Sequence, residues 1–349
     1  MTYKVNRIYK WDYLKFFLIF MVVLGHSADR FTADSETMRG LFLWIYSFHM
    51  PVFIFVSGLF AKRTINNARW DKIFPYLMLY IAAKVIVFTT RFIELGRYSA
   101  SFLNEGSIPW FAFALFVFAS LAVALRRVDP KFVLVTSIAL ALVVGGETEY
   151  NDFFALSRLA VFFPVFYAGY LLDPVKLAAF CRSWWVRLTS ILALGTLTYI
   201  SFVHTEEFYW LRPLFTGRHP YKELGEYAIW GPLIRLGYYA LLVVLTVAII
   251  ALMPDRNHKR TNKFADYVAT LGSRSMQVYL FHVPALAIAF ALLNNEALFN
   301  WNQYPYRGAI IIGVSVLTTW FLSTRLFIKP TQLLTTIRYR RLAPETLAS

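Results

Sequence analysis

Cysteine, charge and long polar segments are all scarce in this chain. Its 349 residues include one cysteine, Cys181, which excludes an intramolecular disulfide and a metal site built from several cysteines. Only 16% of the residues are charged, against about 25% in an average soluble domain. Acidic residues are the scarcer charge, with 20 Asp and Glu against 35 Lys and Arg. This composition argues against an ordinary soluble protein.

The abundant residues are apolar, and they form long runs. The chain is 58% hydrophobic, with a mean hydropathy of +0.52. An α-helix needs about 20 apolar residues to cross the hydrocarbon core of a bilayer, and ten runs approach that length. They cover residues 14–31, 41–60, 73–93, 108–125, 131–146, 153–172, 186–203, 229–252, 271–294 and 306–328. The sequence predicts an all-α polytopic membrane protein with about ten transmembrane helices. We expect a single domain over residues 1–349, with a helical core at about 12–330 and a short basic tail at 331–349.

Lysine and arginine alternate in density between the connecting segments. If the N-terminus is cytoplasmic, 22 of the 35 fall in inner segments, 8 in outer segments and 5 in the spans. Because short cytoplasmic segments are enriched in basic residues, both termini are predicted to be cytoplasmic and the inner membrane is the expected location. The net charge of +15 has the same origin, since the basic residues form no continuous face for nucleic acid. The first run lacks a small-residue cleavage site, so we expect it to be retained.

Three of the six histidines lie inside predicted spans. His26, His49 and His282 fall in the first, second and ninth spans, at depths that one layer near the midplane could hold. A single intramembrane histidine often only hydrogen-bonds a neighbouring helix, whereas three at one depth favour a shared polar cavity. No carboxylate shares this depth and no HExxH spacing occurs, so a metal site is not expected.

Two of these histidines belong to His-x-Pro motifs, at residues 49–51 and 282–284. Proline cannot donate to the carbonyl four residues earlier, so the carbonyl groups of Ser47 and Leu280 are predicted to need partners from other helices. Within lipid, such a break is tolerated where the backbone lines a cavity or meets a neighbouring helix. The motifs therefore predict the wall of a polar cavity.

A lysine shares one face of the first predicted helix with His26. Lys15 precedes His26 by eleven residues, close to three whole turns, and the two lie about 16 Å apart along the helix axis. Asp12 is spaced to pair with Lys15, and Asp29 is spaced to orient the His26 ring. A lysine at a membrane boundary that extends its ammonium to the interface explains Lys15 equally well.

Six short motifs are spread along nearly the whole chain. They are Asp12-Tyr13-Leu14-Lys15, Leu24-Gly25-His26, Phe48-His49-Met50-Pro51, Lys72-x-x-Pro75-Tyr76, Pro109-Trp110-Phe111 and Leu271-Gly272-x-Arg274-Ser275-x-x-x-Tyr279-x-x-His282. Together they resemble the integral-membrane acyltransferase 3 family, and most closely its fucose 4-O-acetylase-like branch. The basic residue ten positions before His26 and the His-Met-Pro motif are the most specific of these signatures.

The resemblance implies a ten-helix membrane enzyme, an O-acetyltransferase. Such an enzyme moves an acetyl or other short acyl group from cytoplasmic acyl-CoA to a hydroxyl of a cell-envelope carbohydrate or glycolipid. The family's basic residue and first histidine map onto Lys15 and His26, and its second histidine maps onto His49. Lysine replaces the more frequent arginine at position 15, which keeps the charge and loses bidentate binding. No SGNH-type hydrolase domain is expected after the membrane part.

These residues can be given roles in acyl transfer. His26 is predicted to be the base or a transient acyl acceptor, and His49 a second acid-base or oxyanion-stabilising group. Lys15, Arg63 and Lys72 are predicted to bind the phosphates of acetyl-CoA at the inner face. Ordinary positive-inside loop charge explains Arg63 and Lys72 equally well.

Five further residues are candidates for supporting roles. Asp12 could orient Lys15, and Ser57 could donate a hydrogen bond, although a small residue beside a glycine more often serves close helix packing. Arg158 lies within the sixth predicted span, where it needs a partner or an anionic ligand. Arg274 opens the ninth span as a capping or donor-binding residue, and His282 completes the histidine layer.

Two features are predicted near the outer surface. Trp110 is placed as an interface anchor at the end of the fourth span, with ring stacking as the alternative. Residues 206–221 mix aromatic and charged side chains, which is typical of sugar-binding surfaces.

Other functions are compatible with ten spans. A transporter or exporter of a lipid-linked saccharide would show matching interrupted helices in inverted repeats, and only the two His-x-Pro spans suggest this. A polyprenyl-phosphate glycosyltransferase would need clustered acidic metal ligands at the inner surface, where the aspartates are scattered. A non-catalytic membrane receptor is the third alternative. The identity of the acceptor and the oligomeric state are left open.

Overall fold

The computed structural model describes residues 9–96, 108–146, 155–255, 262–293 and 307–336, and every regular element within these ranges is helical. The α-helices are α1 Tyr9–Asp29, α2 Glu36–Tyr46, α3 His49–Asn66, α4 Trp70–Leu95, α5 Trp110–Leu125, α6 Pro130–Val144, α7 Leu156–Leu171, α8 Pro174–Phe180, α9 Trp184–Val203, α10 Thr205–Phe208, α11 Arg212–Thr216, α12 Gly231–Leu252, α13 Lys263–Gly272, α14 Ser275–Leu292, α15 Arg307–Leu322 and α16 Ile328–Thr335. Short 3₁₀ helices cover Tyr209–Leu211, Tyr221–Trp230 and Arg325–Phe327. Most of the predicted basic tail, residues 337–349, lies outside the described residues.

The helices bear out an all-α polytopic membrane protein. Within the described ranges, six helical segments are long and apolar enough to cross a bilayer, and two bent pairs raise the number of candidate spans to eight. The bent pairs are α7 with α8, at 90°, and α15 with α16, at 56°. The two remaining predicted runs correspond to α5 and α6, which are apolar but have only 16 and 15 residues. At 1.5 Å per residue these two helices are somewhat shorter than the roughly 30 Å hydrocarbon core.

Local sequence explains where two of the helices begin. Asp129 and Asp173 each precede a proline that occupies the first helical position, where a missing N–H has no cost. The Asp129 carboxylate accepts from the next two free backbone N–H groups of α6, and the Asp173 carboxylate does the same for α8. Asp173 therefore starts a new helix directly after α7, which produces the 90° bend.

The surface of the bundle suits lipid. Large apolar side chains on α9 and α12 are exposed, including Ile191, Leu192 and Val243, each more than half accessible. Such faces would be unfavourable in water and are compatible with hydrocarbon. The exposed apolar side chains agree with a multi-pass membrane protein.

Glycines set two of the closest helix contacts. A Cβ on Gly58 of α3 would overlap the carbonyl oxygen of Phe166 in α7, and a Cβ on Gly169 of α7 would overlap that of Phe55. These two positions therefore allow the backbones of α3 and α7 to touch. The sequence allowed two roles at residues 57–58, a hydrogen bond from Ser57 or close helix packing. Gly58 serves close helix packing.

The helix break before His49 differs in detail from the prediction. His49 is the first residue of α3, so Pro51 lies in the first turn, where its missing N–H removes no helical hydrogen bond. The Ser47 carbonyl accepts a hydrogen bond of 3.2 Å from the Tyr238 hydroxyl of α12. A neighbouring helix thus supplies the partner that the sequence required at this carbonyl.

Candidate active site

A cavity of about 310 Å³ lies among α1–α5, α7, α11 and α14, and the segment directly after α11 lines it as well. Four of the residues predicted for the site line it, namely His26, His49, Ser57 and Arg158. The cavity therefore brings together side chains from α1, α3 and α7, which are far apart in sequence.

The cavity has two distinct ends. Gly272 lies just before α14 and packs on the Asp12 carbonyl, so α14 begins beside the first half of α1. Glu94, in the last turn of α4, pairs at 3.7 Å with Arg30, which directly follows α1. Since α4 ends where α1 ends, α4 also begins beside the first half of α1. We call the end near these helix starts the deep end; its lining includes Ser57, Tyr76, Ser275 and Met276. We call the opposite end the loop end; its lining includes Asp29, Arg158, Arg212, Arg218 and His219. His26 and His49 line the cavity between the two ends.

His49 is held in one tautomer by its backbone contact. Its Nδ1 lies 2.8 Å from the Ile45 carbonyl oxygen, which can only accept, so Nδ1 carries the proton. The Nε2 atom therefore has the free lone pair. The Tyr46 ring meets the imidazole edge to face at 4.7 Å, and His49 is only 3% exposed. This neutral imidazole can accept a proton in the cavity.

The rings of His26 and His282 are in contact, with centroids 5.3 Å apart and planes at 34°. His282 is fully buried in α14, and its Nδ1 lies 3.0 Å from the Val278 carbonyl and 2.9 Å from the Tyr279 carbonyl. Nδ1 is therefore the protonated nitrogen. Its buried Nε2 has no hydrogen-bond partner among the described residues, His26 included, so the two rings are in contact without a hydrogen bond.

Lys15 lies just outside the cavity, on the face of α1 that lines it. Ile19 and His26, which line the cavity, follow Lys15 by four and eleven residues, so the three share a helix face. The ammonium of Lys15 pairs with the Asp12 carboxylate at 2.8 Å, as the spacing predicted. The cation is thus held one helical turn below the deep end.

Lys72 and Arg63 are both exposed, and neither lines the cavity. Lys72 precedes the lining residue Tyr76 by four positions and therefore lies one turn below it on the same face of α4. Arg63 follows the lining residue Ser57 by six positions, which turns it about 120° away around α3. Of the two, Lys72 has the better position at the deep end.

Two of the softer candidates have structural hydrogen bonds. The Arg274 guanidinium donates to the Ser323 carbonyl at 2.9 Å, which ties the start of α14 to the end of α15, while the next residue, Ser275, lines the cavity. The Ser57 hydroxyl donates to the Phe53 carbonyl within α3 at 2.8 Å. Its oxygen still lines the deep end and can accept a second hydrogen bond.

Arg158 is only 6% exposed, yet it lines the loop end. The centre of its guanidinium lies 4.8 Å from the ring centroid of Trp110, which stacks on Phe162 at 5.7 Å. Trp110 is 9% exposed and lines the cavity, so the prediction of an interface anchor is wrong and ring stacking describes it better. The error arose because a tryptophan at a helix end can face lipid or protein with the same sequence signal.

Several lining residues were not singled out from the sequence. Tyr46 lines the cavity and stacks on Phe42 at 3.7 Å, and Arg212 bonds the Asp29 carboxylate at 3.3 Å. Asp29 therefore pairs with Arg212, and the ring in contact with His26 is that of His282. Residues 212–219 have no apolar period that would place them over a cavity, and only their mixture of charges and rings drew attention to them.

The comparison with protein families agrees with the motifs. A family of acyltransferase domains, acyltransferase 3, matches residues 8–324, which is most of the chain. No curated protein and no solved structure matches the chain. The family match does not distinguish the fucose 4-O-acetylase-like branch. On this evidence the chain belongs to the acyltransferase 3 family of membrane acyltransferases.

Proposed function

We propose that this membrane acyltransferase is an O-acetyltransferase. It would take the acetyl group of cytoplasmic acetyl-CoA and place it on a hydroxyl of a cell-envelope or exported carbohydrate, at the inner membrane. The observation that carries this proposal is that His26 and His49, from different helices, line one cavity. The fucose 4-O-acetylase-like branch, which the six motifs together resemble most closely, would make a sugar hydroxyl the acceptor.

His26 is assigned as the base or transient acyl acceptor. If one of its ring nitrogens donates to Nε2 of His282, the other nitrogen keeps a lone pair for the reaction. In direct transfer, this nitrogen removes the proton of the acceptor hydroxyl as the oxygen attacks the thioester carbonyl. The carbon–oxygen bond forms, the carbon–sulfur bond breaks, and the proton passes to the leaving thiolate of CoA. In two-step transfer, the same lone pair would attack the thioester carbonyl first, so that a carbon–nitrogen bond forms as the carbon–sulfur bond breaks. The acceptor oxygen would then displace the nitrogen, and the hydroxyl proton would pass to the CoA thiolate.

His49 is assigned as the second acid-base group. In its neutral form it offers a lone pair at Nε2, because Nδ1–H is bonded to Ile45. After taking up a proton, Nε2 becomes a donor that can stabilise the tetrahedral oxyanion or protonate the thiolate. Acceptance and donation by the same atom fit the two successive proton transfers that acyl transfer needs.

The acyl donor is assigned to the deep end. CoA is polyanionic, and Lys15 and Lys72 each lie one turn below residues that line this end. Arg63, on an adjacent face, would contribute charge at longer range. Asp12 would hold the Lys15 ammonium in place through the ion pair at 2.8 Å.

The proposal is tested by the ester-linked acetyl content of envelope carbohydrate in a deletion strain complemented with variants. His26→Ala and His49→Ala should each lower the transfer rate by about 100- to 10,000-fold, the usual contribution of an acid-base group. His204→Ala is the matched control, since His204 is bonded to Glu207 and does not line the cavity. Unchanged acetylation in both active-site variants would refute the assignment. Saccharide transport into proteoliposomes without consumption of acetyl-CoA would favour an exporter instead.

A further inference from the structure

One tyrosine of the cavity lies next to both of the histidines that line it. Tyr46 is the last residue of α2, and its ring meets the His49 ring edge to face, with centroids 4.7 Å apart. A Cβ on Gly25, the residue before His26 in α1, would lie only 3.2 Å from Cε2 of Tyr46. The Tyr46 ring therefore packs close to both histidine-bearing segments, and glycine at position 25 leaves the space for it.

The hydroxyl of Tyr46 is the part of this side chain that is available to a ligand. Phe42 stacks on the ring with centroids 3.7 Å apart, so one face of the ring is covered. Tyr46 is only partly buried and lines the cavity, and its hydroxyl makes no hydrogen bond within the part of the chain that the structure describes. A phenolic hydroxyl can donate one hydrogen bond and accept others, so this one is ready to bind a substrate atom.

Other hydroxyls along the cavity are less suited to donate a hydrogen bond beside the histidines. Three of them already donate to backbone carbonyl groups, namely those of Ser57, Thr216 and Tyr279. Tyr76 and Ser275 belong to the deep end, whereas the histidines lie between the two ends. Among the hydroxyls of the described lining residues, that of Tyr46 combines an available proton with a position beside the histidines.

The backbone around Tyr46 is held by its neighbours. The carbonyl of the next residue, Ser47, accepts a hydrogen bond of 3.2 Å from the Tyr238 hydroxyl of α12. The carbonyl of the preceding residue, Ile45, lies 2.8 Å from Nδ1 of His49. These two bonds restrain the tyrosine and His49 relative to each other before any substrate binds. A donor that is already fixed stabilises developing charge without reorganisation during the reaction.

We propose that the Tyr46 hydroxyl donates a hydrogen bond to the carbonyl oxygen of the thioester and is a third catalytic group beside His26 and His49. This inference rests on the proposed acetyl transfer and deepens it. As the acceptor oxygen bonds to the carbonyl carbon, its proton passes to His26, and the π-electron pair of the carbonyl group moves onto the carbonyl oxygen, where the phenol O–H stabilises it. When that pair returns, the carbon–sulfur bond breaks and the proton passes to the thiolate, directly or through His49. The phenol keeps its own proton throughout.

Tyr46→Phe removes this donor and keeps the ring that packs on Phe42 and His49. Transfer from radiolabelled acetyl-CoA to the acceptor in isolated membranes should fall about 100- to 1,000-fold in kcat, the usual effect of losing one oxyanion donor. The KM for acetyl-CoA should change little, because an interaction made mainly in the transition state affects kcat and kcat/KM equally. The melting temperature in detergent should also be unchanged, since the hydroxyl has no hydrogen-bond partner within the described ranges.

Tyr209→Phe is the matched control. The Tyr209 ring also packs on Phe42, with centroids 6.4 Å apart, but Tyr209 does not line the cavity. This variant should therefore retain the wild-type rate and melting temperature. A loss of rate restricted to Tyr46→Phe would assign the effect to the hydroxyl in the cavity.

Infrared spectroscopy tests the same contact without any acetyl transfer. The probe is acetyl-CoA isotopically labelled at the thioester carbonyl, bound to the purified full-length protein in nanodiscs. A hydrogen bond polarises and weakens the carbonyl double bond, so the carbonyl band of the bound probe should lie at a lower frequency in the wild type than in Tyr46→Phe. Tyr209→Phe should give the wild-type band.

Three outcomes would overturn the inference. The first is an unchanged kcat in Tyr46→Phe when His26→Ala has lost activity, and the second is a fall in melting temperature that accounts for the loss of rate, which would indicate a structural role. The third is the same carbonyl band in the wild type and Tyr46→Phe. Failure of the proposed function is distinguishable. Retained acetylation in His26→Ala and His49→Ala would refute the histidine assignment, whereas a band shift in Tyr46→Phe would still support the tyrosine.

Discussion

Replacing His282 by phenylalanine tests whether this residue orients His26. His282 is fully buried, its ring contacts that of His26 with centroids 5.3 Å apart, and its Nε2 is a free acceptor among the described residues that a rotation of the His26 ring would bring into reach. Phenylalanine keeps a flat aromatic ring, of slightly larger volume, and removes both ring nitrogens. The Val278 and Tyr279 carbonyls that lose the Nδ1–H bond belong to the hydrogen-bonded helix α14, so they are not left without partners.

The expected loss is small and can be estimated. One hydrogen bond between neutral groups contributes about 0.5–1.5 kcal/mol. If this bond holds His26 in the correct tautomer, its loss should reduce the rate about 2- to 13-fold. The KM for acetyl-CoA should not change, because His282 does not line the cavity. His282→Gln should recover most of the rate, since the amide oxygen can accept in place of Nε2.

Isolated membranes that contain the protein and its own acceptor provide the assay, with transfer measured from radiolabelled acetyl-CoA. Phe290→Leu is the control for packing, since Phe290 is fully buried in the same helix and contacts Phe31 rather than His26. An unchanged rate in His282→Phe would remove the proposed hydrogen bond. A loss as large as that of His26→Ala would place His282 in the chemistry itself.

Two further predictions concern the donor site and the fold. Lys15→Ala should raise the KM for acetyl-CoA by about 10-fold at low ionic strength, and Lys15→Arg should retain activity because the charge remains; an inactive Arg variant with a normal melting temperature would contradict a pure charge role. Gly58→Ala should destabilise the protein by about 1–3 kcal/mol, because its Cβ would overlap the Phe166 carbonyl, whereas Gly195→Ala should not, since nothing lies within 4 Å. Thermal unfolding in detergent measures both glycine variants, and equal melting temperatures would contradict the close α3–α7 contact.

Helix positions could be predicted because hydropathy acts locally. The run at 271–294 contains α14, observed at 275–292, and the run at 186–203 contains nearly all of α9, observed at 184–203. Lipid imposes this agreement, since backbone groups in a bilayer must bond within the segment. The helix bends were not predicted, because each depends on single residues. Asp173, for example, caps a new helix directly after the predicted span at 153–172, where average hydropathy shows only that a span ends.

The site could be predicted only in part, for a related reason. Depth along a helix follows from residue number, so His26 and His282 were expected in one layer, and their rings are in contact. The direction in which a side chain points around the bundle does not follow from one sequence. Arg63 and Lys72 are therefore predicted together, although only Lys72 lies on the same helix face as a nearby cavity-lining residue. Contacts between distant segments, such as Arg212 with Asp29, leave no periodic signal.

The lining of the deep end restricts how the two substrates could meet. Among its described lining residues, the deep end offers hydroxyls and apolar surface but no cation, so it suits the uncharged thioester arm of acetyl-CoA better than its phosphates. We therefore expect the phosphates to stay with Lys15 and Lys72, one turn outside, while the arm extends inward. Lys15 lies about 16 Å from His26 along α1, which sets the reach that the arm must have. An acceptor that enters from the loop end would present its hydroxyl to the same histidines, so transfer would not require the CoA phosphates to enter the apolar part of the cavity.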